Sequence, residues 1–271
     1  MICEVLLPIP VNKVFSYKVI PKLKTGHIVY VEFKNKTMLG LVIKIKKKCE
    51  IKRPLKRVKG IINENVLTPE ILESINFISE YTCNLRSMVL KLFLSGFEKN
   101  KKNVLIQNFK PKKNELTLTS EQKATINSLK YIKKGFNVVL LHGVTGSGKT
   151  RVYMHLVRQK IADGFQCLIL VPEIILTTEW VKEIEKDFGI MPIIYHSAIS
   201  SKKKNQINNG VLNCDINIVI GTRSALSLPF KNLGLIVVDE EHDSSYKQDN
   251  QLIINFRDFA VVRAKQSNCS I

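Results

Sequence analysis

Eight residues constrain this chain more than any others: Gly143-Val144-Thr145-Gly146-Ser147-Gly148-Lys149-Thr150, a G-x-x-x-x-G-K-[ST] run after the apolar stretch Val138–Leu141. Three glycines let a backbone curl until its N–H groups converge on phosphate oxygens at the start of a helix, here expected near Arg151. Lys149 is expected to reach the β and γ phosphates of a nucleotide, and the Thr150 hydroxyl to ligate Mg²⁺. A strand, a phosphate loop and a helix in that order imply an α/β unit with a parallel sheet.

The rest of the second half agrees. Apolar runs at 167–171, 193–195, 216–220 and 235–238 read, with 138–141, as buried parallel strands separated by crossover helices, a doubly wound domain. The last run leads into Asp239-Glu240-Glu241-His242, which places carboxylates at the C-terminal end of a buried strand, where α/β ligand sites form. An isolated D-E-x-H could be a surface acidic turn. About 90 residues after a phosphate loop it reads as the partner element, with Asp239 holding Mg²⁺ through its water shell and Glu240 polarising the attacking water.

The first half has another character. Short apolar runs over residues 1–60, broken by turn residues, read as a small β-barrel or curled sheet. Thr68-Pro69-Glu70 opens a helix, with Thr68 as N-cap and Ile71, Leu72, Ile75 and Ile78 on one face. A second helix spans 85–94 and ends near Gly96. The division expected is 1–97 for a basic barrel with helices, 98–117 for a linker with at most one short strand at 104–106, and 118–271 for the nucleotide-binding lobe.

Charge supports a polyanionic partner only after a correction. The net +19 rests on 34 Lys against 8 Arg, beside 32 Ile and 21 Asn, the bias of an AT-rich genome. Codon bias acts on both halves, yet residues 1–113 carry +15 and residues 114–271 only +4, which points to an anion-facing N-terminal unit. Six scattered cysteines without a C-x-x-C pair read as reduced, mostly buried thiols and offer no zinc knuckle. No run reaches a bilayer-spanning length and the N-terminus lacks a signal peptide's basic start, so a cytoplasmic protein without membrane contact is expected.

The D-E-x-H form resembles motif II of superfamily 2 helicases. Together with Val171-Pro172-Glu173-Ile174, Gly221-Thr222-Arg223-Ser224-Ala225-Leu226 and the stretch DEEHDSSYKQ from Asp239 to Gln248, it is similar to the PriA family of bacterial replication restart helicases (primosomal protein N′). The resemblance implies a first RecA-like lobe preceded by a 3′-end DNA-binding domain, with ATP and Mg²⁺ as cofactors and no zinc in this chain. It implies single-stranded or forked DNA as partner, with other primosome proteins and single-stranded DNA-binding protein. In that family the P-E and G-T-R-S elements line the DNA path, which assigns Arg223 as a fixed cation and Thr222 and Ser224 to phosphates, the alternative for Arg223 being a structural ion pair. Gln122, in Leu118-Thr119-Ser120-Glu121-Gln122, resembles the glutamine that reads adenine, while Ser120-Glu121 serves equally as mere helix capping.

In the N-terminal unit Phe15-Ser16-Tyr17 stands where the family has F-D-Y, Lys34 replaces a glycine after Phe33, and Lys56 fits a family lysine. Phe15 can stack a base or belong to the core, and Ser16 is a weaker partner for a 3′ hydroxyl than aspartate. The stretch 98–116 is too short for the family's winged-helix insertion, the aromatic loop after Tyr246 reads Leu252-Ile253-Ile254-Asn255-Phe256-Arg257-Asp258, and the chain reaches Ile271 before the S-A-T motif. A second lobe, its arginine finger and the zinc cysteines are therefore expected to be absent. The function implied is an ATP-dependent DNA helicase of replication restart, the alternative being a non-catalytic DNA- and nucleotide-binding remnant.

Overall fold

The computed structural model describes residues 1–47, 54–62, 66–97, 105–107, 118–129, 134–144, 146–189, 191–248 and 253–271. Strands β1 (Ile2–Leu6), β2 (Val14–Lys18), β3 (Ile28–Phe33), β4 (Lys36–Lys46) and β5 (Gly60–Ile61) form one antiparallel sheet in the order β2-β1-β4-β3-β5. Both faces are apolar because both are covered. Cys3, Val5, Tyr17, Val29, Val31 and Val42 fill the inside, and Leu6, Ile28 and Leu41 pack outward with Ile71, Ile75 and Ile78 of α1 (Pro69–Tyr81) and Val89, Leu90 and Phe93 of α2 (Arg86–Leu94).

Residues 56–62 curl the sheet. Lys18 N–H donates to Lys56 O at 2.9 Å and Val58 N–H to Lys18 O at 3.2 Å, while Lys59 N–H reaches Tyr30 O at 2.8 Å and Ile62 N–H reaches Ile28 O at 3.0 Å. One segment thereby joins the free edges of β2 and β3, and the expected small barrel results. Thr68 holds the N-cap position of α1 with extended backbone and Pro69 at the first turn, but its side chain accepts no capping bond.

The second half holds α3 (Ser120–Leu129), α4 (Lys149–Ala162), β6 (Gln166–Leu170), α5 (Thr178–Phe188), β7 (Ile193–Tyr195), α6 (Ser201–Leu212), β8 (Ile218–Gly221), β9 (Leu233–Val238), β10 (Lys247–Gln248), β11 (Ile254–Asn255) and α7 (Phe256–Gln266). Strands β7-β8-β6-β9, in that order, are parallel. Alternate side chains of β6 serve the two layers. Cys167 and Ile169 face Met154 and Val157 of α4 and Ile184 of α5, whereas Leu168 and Leu170 face Ile207 and Val211 of α6 and Phe259 and Ala260 of α7. The sheet is doubly wound, as expected.

The apolar run Val138–Leu141 departs from expectation and is not a strand. Asn137 bridges Ser270, and Val139 N–H donates to Ile271 O at 2.8 Å, while Val138 and Leu140 are 61% and 75% exposed. A parallel strand exists only through its neighbour's ladder. The neighbour here is Ser270–Ile271, seated between this run and β9 by the Ile236 N–H to Ser270 O bond of 3.0 Å.

Of the expected linker, residues 98–104 and 108–117 lie outside the described ones, and 105–107 are docked rather than free, without forming the expected short strand. Gln107 Nε2 donates to Met191 O and Ile218 O, and its Oε1 accepts Asn217 and Ile218 N–H at 2.9 Å. Leu105 packs on the core. The halves also meet directly: Ser74 Oγ of α1 donates to Gln266 Oε1 of α7, Asn208 Nδ2 donates to Ser95 O at 2.9 Å, and one buried apolar cluster runs through both. Cys3, Cys167 and Cys269 are buried free thiols, but Cys83 and Cys214 are exposed ones, and Cys49 lies outside the described residues. Among the described residues no helix is long and apolar enough to cross a membrane, and no group of three or more His, Cys, Asp or Glu side chains could hold a metal ion.

Lys34 and Asn35 connect β3 to β4 as a two-residue turn with φ of 47° and 61°. Such primed turns match the strand twist and favour Asn-Gly, since a lysine Cβ crowds its carbonyl in the left-handed region. Lys34→Asn combined with Asn35→Gly is expected to stabilise the chain by about 1 kcal/mol in chemical denaturation; an unchanged or lower midpoint would show that the turn is not strained.

Candidate nucleotide and DNA sites

Helix α4 starts at Lys149, two residues before the expected position, with Gly148 at its N-cap. Gly146 and Gly148 have φ of 80° and 79°, a region costly for any residue with a Cβ. A Cβ on Gly148 would also lie 2.4 Å from Gln122 Nε2. The first turn of α4 carries the positive end of the helix dipole, so the loop mouth suits an anion. The Lys149 ammonium lies across that mouth, donating to Gly143 O at 2.8 Å and Val144 O at 3.2 Å. Thr145 lies outside the described residues.

Gln122 is buried beneath this loop. Its Nε2 donates to Ser147 O at 3.0 Å, and its Oε1 accepts Thr119 N–H at 3.0 Å while Thr119 Oγ1 accepts Gln122 N–H at 3.2 Å. The amide therefore caps α3 and clamps the loop at once. The capping bonds come from Thr119 and Gln122 rather than from Ser120-Glu121, and the Gln122 donor and acceptor expected to read adenine are engaged with backbone.

Motif II sits beside the loop because β9 runs next to β6. Asp239 extends the ladder, its N–H donating to Leu170 O at 2.9 Å. Its Oδ1 accepts Glu240 N–H at 3.0 Å, its Oδ2 accepts the Tyr153 hydroxyl at 2.9 Å, and its carbonyl accepts the Tyr246 hydroxyl at 2.8 Å. Glu240 has φ of 47°, a left-handed conformation that a non-glycine residue tolerates where surroundings enforce it, as at functional sites. Its carboxylate lies 3.6 Å from His242 Nε2, while Glu241 pairs with Arg257 at 2.9 Å. The hard oxygen donors of Thr150 and Asp239 fit a Mg²⁺ ion and its water shell.

Sequence reading misses both tyrosines. Burial, reinforced by the nearby Asp239 carboxylate, pushes the phenols of Tyr153 and Tyr246 well above their ordinary range, so both remain hydrogen-bond donors. The spacing holds a signal for Tyr153: it lies one helical turn beyond Lys149 and Thr150, on the stretch of α4 nearest the loop.

The DNA candidates are placed less openly. Thr222 is buried, its N–H donating to Tyr195 O at 3.1 Å and its hydroxyl lying 3.4 Å from that of Ser224. Arg223 Nη1 donates to Ser245 O at 3.2 Å and Lys247 O at 2.9 Å, and the guanidinium lies over the Phe256 ring at 5.9 Å. Among the described residues it thus meets backbone carbonyls of the segment after motif II, not the carboxylate of an ion pair. That segment returns as a hairpin, β10 pairing antiparallel with β11, while Leu252 lies outside the described residues.

At the N-terminal barrel Phe15 is half-buried, edge-on to Phe33 with centroids 4.8 Å apart, and packed against the core. Ser16 pairs in register with Glu4 of β1, which is bridged to Lys46. Lys56 and Lys59 both pair with Glu32, at 2.5 and 2.9 Å, and hold its carboxyl down at about 2. Tyr17 donates to Glu32 O at 3.2 Å, and Lys34 Nζ lies 5.8 Å from the Phe33 ring centroid. Phe15, Lys56 and the Lys34 turn thus gather at one end of the barrel through Glu32 and Phe33.

Two family models match the chain: the DEAD/DEAH box helicase over residues 119–268 and the 3′ DNA-binding domain (3′BD) of PriA over residues 4–95. Among curated proteins, the replication restart protein PriA of Rickettsia conorii is 39% identical over 268 residues, covering 97% of this chain and 40% of that protein. PriA of Helicobacter pylori strain J99 is 36% identical over 237 residues, or 87% of this chain and 36% of its own length. PriA of Haemophilus influenzae is 42% identical over 158 residues, which cover 58% of this chain and 22% of that one. The chain spans about two fifths of the length of the Rickettsia relative. A DEAD/DEAH box helicase lobe behind a PriA-type 3′ DNA-binding domain, with relatives matched across both, makes this chain a member of the PriA replication restart family.

Proposed function

We propose that this chain supplies the nucleotide-binding lobe and a DNA-binding domain of an ATP-dependent helicase that restarts replication at stalled forks in the cytoplasm. The observation that carries the reading is the joining of the loop helix to motif II: Tyr153 of α4 donates to Asp239 at the end of β9, so the Lys149 ammonium and the motif II carboxylates share one edge of the sheet. Lys149 exchanges its two loop carbonyls for phosphate oxygens, and N–H groups of the α4 first turn bind further ones. Thr150 and Asp239 would hold Mg²⁺, which neutralises phosphate charge when bound. Glu240 orients the attacking water, its backbone already turned out of the strand. Gln122 supports the loop from below and reaches adenine only by releasing Ser147 or Thr119.

The lobe's own DNA contacts are assigned to Thr222, Arg223 and Ser224, and those of the barrel to Phe15 and Lys56. A phosphate drawn to Arg223 competes with the carbonyls of Ser245 and Lys247, which ties a DNA contact to the segment following motif II. Single-stranded or forked DNA is the partner this charge distribution supports, with primosome proteins and single-stranded DNA-binding protein as further partners of the assembled enzyme. The carboxylate lacking at Ser16 makes the barrel a weaker reader of a free 3′ hydroxyl.

Calorimetry should find Mg-ADP binding to the 271-residue chain. Lys149→Ala should weaken it by on the order of tenfold or more, the loss of a charge-assisted phosphate interaction. Unchanged affinity would remove the nucleotide assignment.

A second measurement addresses the basic excess. Because the halves share one buried cluster, they are compared within the intact chain. Lys34→Ala, Lys36→Ala and Lys44→Ala together should flatten the log-log salt dependence of single-strand binding by about 0.7 for each phosphate that is no longer neutralised. The same change at Lys202, Lys203 and Lys204 on α6, the first two exposed and the third half-buried with its ammonium donating to Ser197 O at 2.6 Å, should leave the slope alone. Equal slopes for both triple variants would trace the lysine excess to genome composition.

A further inference from the structure

Tyr153 joins the loop helix to motif II, yet the mechanism above gives this buried polar group no role of its own. It lies on α4, only 6% exposed, between the phosphate loop and motif II. Its hydroxyl donates to Asp239 Oδ2 at 2.9 Å. The other carboxylate oxygen, Oδ1, accepts Glu240 N–H at 3.0 Å, so both oxygens of Asp239 are fixed. One phenol thus ties α4 to motif II and connects two segments 86 positions apart in sequence, measured from Tyr153 to Asp239.

Resting on the nucleotide-site reading, we infer that Tyr153 is a positioning residue which holds the Asp239 carboxylate in one orientation for a Mg²⁺ ion. The physical reason is preorganisation. An aspartate at a strand end rotates about two side-chain torsions, and the hydrogen bond to Oδ2 selects the rotamer that faces α4. A phenol suits this task because it donates to a carboxylate yet has no charge to compete with the metal. The Tyr153 hydroxyl bonds to Asp239, whereas the Lys149 ammonium is held by the carbonyls of Gly143 and Val144. The effect of the phenol is therefore confined to the metal and should separate from nucleotide affinity itself.

The test uses the 271-residue chain, with ADP as probe, titrated first in chelator and then at rising Mg²⁺. Tyr153→Phe keeps the ring packing and removes only the hydroxyl. Its thermal midpoint and its affinity for metal-free ADP should match the parent chain within about twofold, while the Mg²⁺ concentration that half-saturates the Mg-dependent gain should rise about tenfold, the usual cost of losing a group that orients a metal ligand. In an Asp239→Ala background, where the acceptor is gone, Tyr153→Phe should add nothing further. An unchanged Mg²⁺ midpoint overturns the inference. So does a parallel loss of metal-free affinity and thermal stability, which marks a packing role, and so do additive effects of the two substitutions. The underlying reading fails separately: the parent chain would then bind no ADP with or without metal, or Lys149→Ala would bind it as well as the parent.

Discussion

The register of β6 against its two neighbours governs the helicase lobe. Leu170 pairs with Gly221 of β8 on one side and with Val238 of β9 on the other, and Asp239 N–H continues the same ladder to Leu170 O. Three chain exits therefore lie level at one edge: Val171-Pro172-Glu173 after β6, Thr222-Arg223-Ser224 after β8, and Asp239-Glu240 after β9. Parallel strands deliver this without further instruction, since all their C-terminal ends face the same way. A slip of one residue would turn Asp239 toward the opposite layer and bury a carboxylate among the apolar side chains of α6 or α7, at a cost of several kcal/mol.

The buried cluster that continues from Leu6, Ile28 and Leu41 through α1 and α2 into Ile207, Phe259 and Ala260 makes the two sequence halves one packed body. Side-chain amides seal its seams. Gln166, fully buried, donates to Val211 O and Ile216 O and accepts Lys231 and Asn232 N–H, which closes four backbone groups at the base of β6 and β9. Gln107 does the same for the start of β8. Arg263 is the less satisfied exception. It is buried in α7 with Nη2 donating to Leu228 O at 2.8 Å, and its Nε and Nη1 have no partner among the described residues.

How much of this is legible in the sequence depends on whether a feature is local. The apolar runs that form β6, β7, β8 and β9 are readable because a strand covered on both faces must be apolar throughout. The loop and motif II are readable because their chemistry demands fixed residue types. Val138–Leu141 misleads for the same reason: its apolar character is evident, but its pairing depends on residues 270–271, remote in sequence. Arg223 stands out as a significant cation, yet its carbonyl partners belong to a segment more than 20 residues away, which no local pattern reveals. Phe15 reads equally as core or as ligand contact, and the structure gives it a half-share of each environment: an edge in the barrel and a partly open side. Gln107 is hidden inside a stretch whose composition reads as linker, because three docked residues carry too little sequence to stand out.

Gly148 and Gln122 illustrate how far a short motif extends beyond its own letters. The glycine leaves room for an amide that would otherwise lie 2.4 Å from a Cβ, and the amide in turn holds the carbonyl of Ser147 inside the loop. Neither position has freedom independent of the other. The unit that packs together is therefore a discontinuous one, a phosphate loop plus a glutamine 26 positions earlier, and transplanting the loop alone into another scaffold would carry a cavity beneath it where its support used to be.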